Sequence, residues 1–303
     1  MRRPSMLAPG LLLLAACAAP PGPRLQHPDL DEASGLTASR RYPGVFWTHN
    51  DSGGDARLFA VTADGRTVGT VDVEGATATD WESITTDDAG HLYVGDIGNN
   101  WSTRRDLVVY RLREPDPRRG GAVKVDRAIR FRFPDQTAFP DPARGFDCEA
   151  LFWAPHPQTG QGTLYTLTKR RSDRRTSLYR FDDLSGGAEV VLTRVGEPFE
   201  VGGDPARYGG MVTAADATPD GRQLVVLTYH ALFVFERPSP TDDRYLTRLV
   251  NRVELDQDVT VQAEAVAWDG DEVVIANEQR RMFRLRRPRA RRTAAFPTAR
   301  DLR

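Results

Sequence analysis

The sequence predicts an all-β chain folded as a β-propeller of four-stranded blades. Five blades are expected, with six as the alternative count and a terminal strand closing the ring. Three observations predict it. Short β-rich runs separated by Gly, Pro, Asp and Asn fill the 303 residues, with little helical periodicity. Placed under one another, the runs repeat about every 50 to 65 residues. Each repeat opens on small and acidic residues, a recurrence that a sandwich or jelly roll would not explain.

The openings are "EASGL" (32–36), "DWESI" (80–84), "DCEAL" (147–151), "TAADA" (213–217) and "QAEAV" (262–266). A turn and an apolar strand follow each: "VFWTHND" (45–51), "LYVGDIGNN" (92–100), "LYTLTK" (164–169), "LVVLTY" (224–229) and "VVIANE" (273–278). Third strands are amphipathic, from "LFAVT" (58–62) to "MFRL" (282–285). Fourth strands are more variable, and the fifth unit lacks one. The segment "RLQHPDL" (24–30) or "TAAFPT" (293–298) is expected to supply it, because an open sheet edge leaves backbone groups unpaired.

The N-terminus reads as a targeting segment. Arg2 and Arg3 precede an apolar run, Leu11 to Leu14, which is too short for a stable spanning helix. Leu14-Ala15-Ala16-Cys17 resembles the lipobox of bacterial lipoproteins, which implies cleavage before Cys17 and lipidation of that residue. The expected organisation is a signal peptide (1–16), a lipidated Cys with tether and closing strand (17–30), the propeller (31–287) and an Arg-rich tail (288–303). The expected location is extracytoplasmic, anchored by lipid to the cell membrane or outer membrane. Cys148 is the one remaining cysteine, so no internal disulfide can form. A formal net charge of −1 gives no field that points to nucleic acid.

Inner strands of a propeller line the central channel, so their openings converge at one mouth. That places Asp80/Glu82, Asp147/Glu149 and Glu264 near one another. Like charges so gathered raise each other's pKa unless a cation or donors neutralise them, and hard oxygen ligands suit calcium or another divalent cation. The second-strand ends form another series: Asn50, Asp96, Thr168, Thr228 and Asn277, then Asp51, Ile97, Lys169, Tyr229 and Glu278. Asp51, Asp96, Thr168, Tyr229 and Glu278 are the candidate pocket residues. Asp80 and Asp147 read better as structural pins between blades. Aligning the units by their apolar residues and turns puts Ser34 opposite Glu82 and Glu32 opposite Asp80. In the fourth unit it puts Ala215 opposite Glu264, with Asp216 one residue off. The ring of carboxylates is therefore expected to be lopsided.

"ASGL…THNDSGG…LFAV", "DWESI…LYVGDIGNN…VVYRLREP", "DCEAL…LYTLTK" and "VTAADATPDGRQLVVLTY" together resemble uncharacterised bacterial extracytoplasmic propeller lipoproteins. The resemblance covers most of residues 31–285, and extends more distantly to the phytase-like and gluconolactonase-like propellers. In the metal-dependent relatives, channel-mouth Glu, Asn and Asp hold a divalent ion. Carried onto this chain, the resemblance implies Glu82, Glu149, Glu264, Asn50 and Asn277 as ligands.

Two functions follow as expectations. The first is a membrane-anchored binding or scaffold module for an envelope protein, glycan or small anionic ligand, displayed on long loops such as 134–146 and 196–210. The second is a metal-dependent hydrolase of a lactone or phosphate ester. In that reading Glu149 is the general base and Lys169 stabilises developing negative charge.

Overall fold

The computed structural model describes residues 22–286. The signal segment, Cys17, the tail 288–303 and the alternative closing strand 293–298 lie outside them. Within them the chain is an all-β propeller of five blades. Blade 1 comprises Ala33–Ala38, Val45–Asn50, Arg57–Thr62 and Thr67–Glu74. Blade 2 comprises Trp81–Thr86, His91–Asp96, Val108–Arg113 and Ala122–Arg132. Blade 3 comprises Cys148–Pro155, Gly162–Thr168, Leu178–Arg180 and Thr193–Arg194. Blade 4 comprises Val212–Ala217, Gln223–Thr228, Ala231–Glu236 and Leu249–Glu254. Blade 5 contributes Ala263–Asp269, Glu272–Asn277 and Met282–Arg286.

The fourth strand of blade 5 comes from the N-terminal side. Arg24 bridges Arg281 antiparallel, Leu25 N donates to Arg280 O at 2.8 Å, and Met282 N donates to Pro23 O at 2.9 Å. Pairing thus falls at 23–25, the leading end of the segment expected to close the ring. Each inner strand packs on the next, and the fifth packs on the first. The outer strands of blades 1 and 2 also meet in parallel, Asp72 opposite Ala122 to Glu74 opposite Lys124.

Each blade is sandwiched between two neighbours, so its middle strand is buried on both faces. This is why "FWTH", "LYVGD" and "VVIAN" read as apolar runs rather than as alternations. The outer strand Ala122–Arg132 has one wet face and alternates. Five apolar layers result, one per blade interface. Trp47 with Trp81 fills blades 1 and 2, Phe152 with Phe235 fills blades 3 and 4, and Phe46 with Met282 fills blades 5 and 1.

Antiparallel order sends the loops after the middle and fourth strands to one face, where the inner strands begin. The turns after the inner and third strands go to the other. The first is the mouth face.

Candidate functional site

Every blade carries a bulge near the start of its inner strand. Two inner-strand residues oppose one on the middle strand, which leaves Gly35, Glu82, Glu149, Thr213 and Glu264 unpaired. A bulge twists the strand locally and re-aims the extra residue. The five therefore occupy one structural position around the channel. The blade 1 and blade 4 members are Gly35 and Thr213, rather than Ser34 and Ala215 as the alignment of apolar residues expects. In blade 1 the apolar Leu36 takes the place of Ser83 rather than Ile84, and Gly35 takes a left-handed φ of 67°. In blade 4 the turn after the inner strand is longer than in blade 5. The expected lopsidedness holds: three of the five positions carry carboxylates.

Around these positions the mouth divides into two sectors. On the blade 3 to blade 5 side, Lys169 Nζ lies 3.0 Å from Glu149 Oε1 and 3.3 Å from the Tyr229 hydroxyl, which itself donates to Glu264. The pair is almost fully enclosed, with the side chains of Lys169 and Glu149 5% and 2% exposed. Burial alone would lower the Lys169 pKa, but the surrounding Glu149 and Glu264 carboxylates raise it well above the usual lysine value, so the ammonium stays charged.

On the blade 1 to blade 2 side, Asp51, Asp80 and Glu82 each direct an oxygen to one place, all within 4.8 Å of one another. Gly98 backs this cluster. Any side chain there would overlap the Asp80 and Glu82 carboxylates, which is why the "GDIGNN" turn carries glycine. Burial, then the charges of Asp80 and Glu264, push Asp51 up to about 7. Burial and the neighbouring Glu149 raise Glu82 well above the carboxylate range. Burial also raises Glu149, which hydrogen-bonds Glu82. Asp51 Oδ1 and Glu264 Oε2 are buried without a hydrogen-bond partner. Glu278, beside Glu264, rises to about 7 through burial and that neighbour's charge.

The remaining residues singled out from sequence have other partners. Asp147 is fully buried, accepts from Asn99 N at 2.7 Å and meets Arg171 at 3.2 Å, joining blade 3 to the blade 2 loop. Asp96 accepts from Asp80 N and meets Arg104 at 2.9 Å. Asn50 donates its amide to Asp29 O and lies one pair further out than Asp96, because blade 1 has two ladder pairs before its bulge where blade 2 has one. His49 takes the place that Asp96 holds in blade 2; it is buried edge-on against Trp81 and its pKa falls to about 4 through burial. Asn277 bonds Thr260 O and Arg281 N, which fixes the loop around it. Thr168 and Thr228 accept from nearby backbone N–H groups. The structure thus brings together Glu82, Glu149, Glu264, Lys169, Tyr229, Asp51 and Glu278, adds Asp80 with Asp96 behind it, and gives Asn50, Asn277, Thr168 and Thr228 other partners. The sequence signal for Asp80 was its position two residues before Glu82, which puts both side chains on one side.

No family model matches the chain, and no curated protein matches it. Among solved structures, it is similar to the Dos1 propeller at 13% identity, covering 84% of this chain and 55% of that one, with a TM-score of 0.39. It is also similar to a functionally unknown protein from Desulfotomaculum acetoxidans DSM 771 at 10% identity. That match covers 84% of this chain and 68% of that one, with a TM-score of 0.42. The chain spans little more than half of the Dos1 propeller chain it matches. Both likenesses are distant, and the fold rests on the blade geometry itself.

Proposed function

We propose that the protein is an extracytoplasmic, lipid-anchored binding module whose channel mouth holds a divalent cation of the calcium type. The anchor reading rests on the Leu14–Cys17 sequence. The cation reading rests on one observation: three carboxylates of blades 1 and 2 converge within 4.8 Å, none of them in an ion pair among the described residues although the charge of Lys169 reaches all three, with Asp51 Oδ1 lacking any partner. Carboxylates so placed must take up protons or a cation. The donors are all oxygens, which suits a hard ion. Asp51, Asp80 and Glu82 are the ligands. Lys169 satisfies the other sector, holding Glu149 and, through Tyr229, Glu264. Glu149, the base in the hydrolase reading, is buried against Lys169, and no observation favours hydrolysis over binding.

Thermal unfolding tests this. Protein stripped with chelator is melted alone and with calcium, magnesium or manganese, beside an Asp51→Asn, Glu82→Gln double variant. An ion at 100 times its Kd stabilises by about 2.7 kcal/mol. A rise in the wild type that the double variant loses is the expected result. The same rise in both, or none with any ion, rejects the site.

A further inference from the structure

A second feature of the mouth face is independent of the cation. Loops 97–107 and 133–147 meet between blades 2 and 3 and are tied through Ser102. Its carbonyl accepts from Gln136 Nε2 at 3.0 Å and Asp141 N at 3.3 Å, and its hydroxyl accepts from Phe146 N at 3.2 Å. Ser102 and Arg144 take φ of 51° and 48°, a region costly for residues with a side chain. The loops are thus held in one shape at some cost, as occurs where a surface serves a ligand.

The rim displays two guanidinium groups stacked on aromatic rings. Arg144 lies 3.7 Å from the Trp101 centroid, and Arg105 lies 3.7 Å from the Phe139 centroid. Among the described residues, neither arginine is in an ion pair with a carboxylate, whereas nearby Arg104, Arg111, Arg132 and Arg170 all are. A guanidinium with its face on a ring keeps its in-plane N–H donors open for a planar oxyanion. Trp101 remains 60% exposed, which is unusual for so large an apolar surface. Arg105 and Phe139 also line a groove of about 100 Å³ with Arg104, Arg132, Gln136 and Glu189, the Glu189 carboxylate being paired with Arg132.

From this arrangement we propose that the blade 2–3 rim binds an acidic sugar. Arg105 and Arg144 each take an oxyanion of an acidic oligosaccharide, a carboxylate or a sulfate, and Trp101, with Arg144 stacked on one face of its ring, offers its remaining exposed surface to a sugar C–H face. Aromatic face and guanidinium edge side by side match a ligand with a flat apolar face next to an in-plane anion, as a pyranose uronate has. Phosphate alone would use the arginines and leave Trp101 without a role.

The test titrates the full-length protein with four probes: oligogalacturonate, a heparin-derived oligosaccharide, a neutral cello-oligosaccharide of equal length, and inorganic phosphate. Tryptophan fluorescence and calorimetry are the readouts. Acidic oligosaccharides are expected to bind at least about tenfold more tightly than the neutral one, and the tighter of the two names the acid group. Arg105→Gln with Arg144→Gln removes that preference. Trp101→Ala weakens both acidic oligosaccharides and leaves phosphate affinity unchanged. All three side chains are on the surface, so unfolding midpoints stay near wild type and a loss of binding is not a loss of fold. Equal affinity for acidic and neutral probes overturns the proposal. So does acidic binding that survives the arginine double variant, or binding of phosphate without gain from the sugar.

Discussion

The two faces of the propeller use the same residue types to opposite ends. On the face away from the mouth, turns are closed by glycine and by carboxylates such as Asp87, both of whose oxygens are occupied, although Glu114 keeps one buried oxygen without a partner. Asp87 Oδ1 accepts from Ala89 N and His91 N at 2.9 and 2.8 Å, while Oδ2 meets His91 Nδ1 and the Tyr93 hydroxyl at 2.9 and 3.1 Å. Left-handed positions there fall to glycines such as Gly44, Gly90, Gly160, Gly221 and Gly270, which bear them without strain. On the mouth face, Asp51 and Glu264 keep unpartnered oxygens. Among the described residues, all of the non-glycine positions with positive φ lie there too: Ser102, Arg144, Arg174, Tyr208, Val261 and Arg280. One face is built to close turns at low cost. The other accepts backbone strain and gathers like charges, which is where binding surfaces are expected.

The sharpest way to break this contrast is to remove the one buried ammonium of the mouth. Lys169→Met leaves Glu149 without its partner in an enclosed site. Breaking one side of a buried pair costs about 3–5 kcal/mol. Urea unfolding of metal-free protein at neutral pH should show a loss of that order. The loss should shrink in acid, where Glu149 takes a proton. A cost below about 1 kcal/mol would mean that the pair is not held together in solution.

The pH dependence separates the faces next. Asp51 and Glu278 sit near 7, and Glu82, Glu149 and Glu264 are raised as well. A raised carboxylate means that the folded state keeps a proton the unfolded chain gives up. Its stabilisation is full below the ordinary carboxylate pKa and is lost as pH rises towards 7. On the other face burial raises Asp216 to about 7 as well, while Asp64, Asp182 and Asp183 are lowered by hydrogen bonds that outweigh any burial, so the contribution of these three is present above the ordinary range and lost in acid. Metal-free protein should therefore melt at progressively lower temperature from about pH 5 to 7. A bound cation replaces those protons, so its stabilising effect should grow over the same interval. A flat profile with and without ion would remove the electrostatic distinction between the faces.

The sequence carried the repeat, the inner strands and the acidic openings because these follow from alternation, turn chemistry and self-similarity. It did not carry the bulges. Aligning Leu36 with Ile84 selected Ser34, but after the bulge Leu36 stands where blade 2 has Ser83, so backbone pairing selects Gly35. Aligning the Asp-Gly turns chose Ala215 over Thr213, because the turn after the blade 4 inner strand is longer than that of blade 5. Asn50 was named with the ligands for a related reason: blade 1 has a second ladder pair before its bulge, which only the register reveals. Lys169 stood out as one of two lysines in an arginine-rich chain. Glu149 reaches it through the register of its own blade, whereas Tyr229 lies on blade 4 and is brought to it by blade packing.

Glycines sharpen the comparison at a smaller scale. At Gly98 the obstacle is steric: a methyl group would meet the Asp80 and Glu82 carboxylates. Gly98→Ala should cost about 1–3 kcal/mol, the range for an overpacked site, and should abolish any cation-dependent rise in melting temperature. At Gly90, across the molecule, nothing lies near the added methyl, and the cost is the left-handed φ of 80°. Gly90→Ala should cost about 1 kcal/mol and leave the response to cation untouched. If Gly98→Ala kept the full cation effect, the ion would have to lie elsewhere.

The smallest expected effect tests the strain itself. Tyr208 is 63% exposed, has φ of 57°, and places its ring edge-on to Tyr229, with centroids 5.8 Å apart. Its loop is pinned at the neck, where Gly203, Gly209 and Gly210 bring backbone against backbone and leave no room for side chains. The loop thus has no easy route out of the left-handed conformation. Tyr208→Ala and Tyr208→Gly both remove the ring, but only alanine retains the strain. The glycine variant should be more stable than the alanine variant by about 1 kcal/mol, matching in size the cost of Gly90→Ala on the far face and, like it, favouring glycine. Equal stabilities would mean that the neck yields and the mouth loop relaxes when its tyrosine is lost. The strain would then belong to the tyrosine's contact with Tyr229 and not to the backbone that presents it.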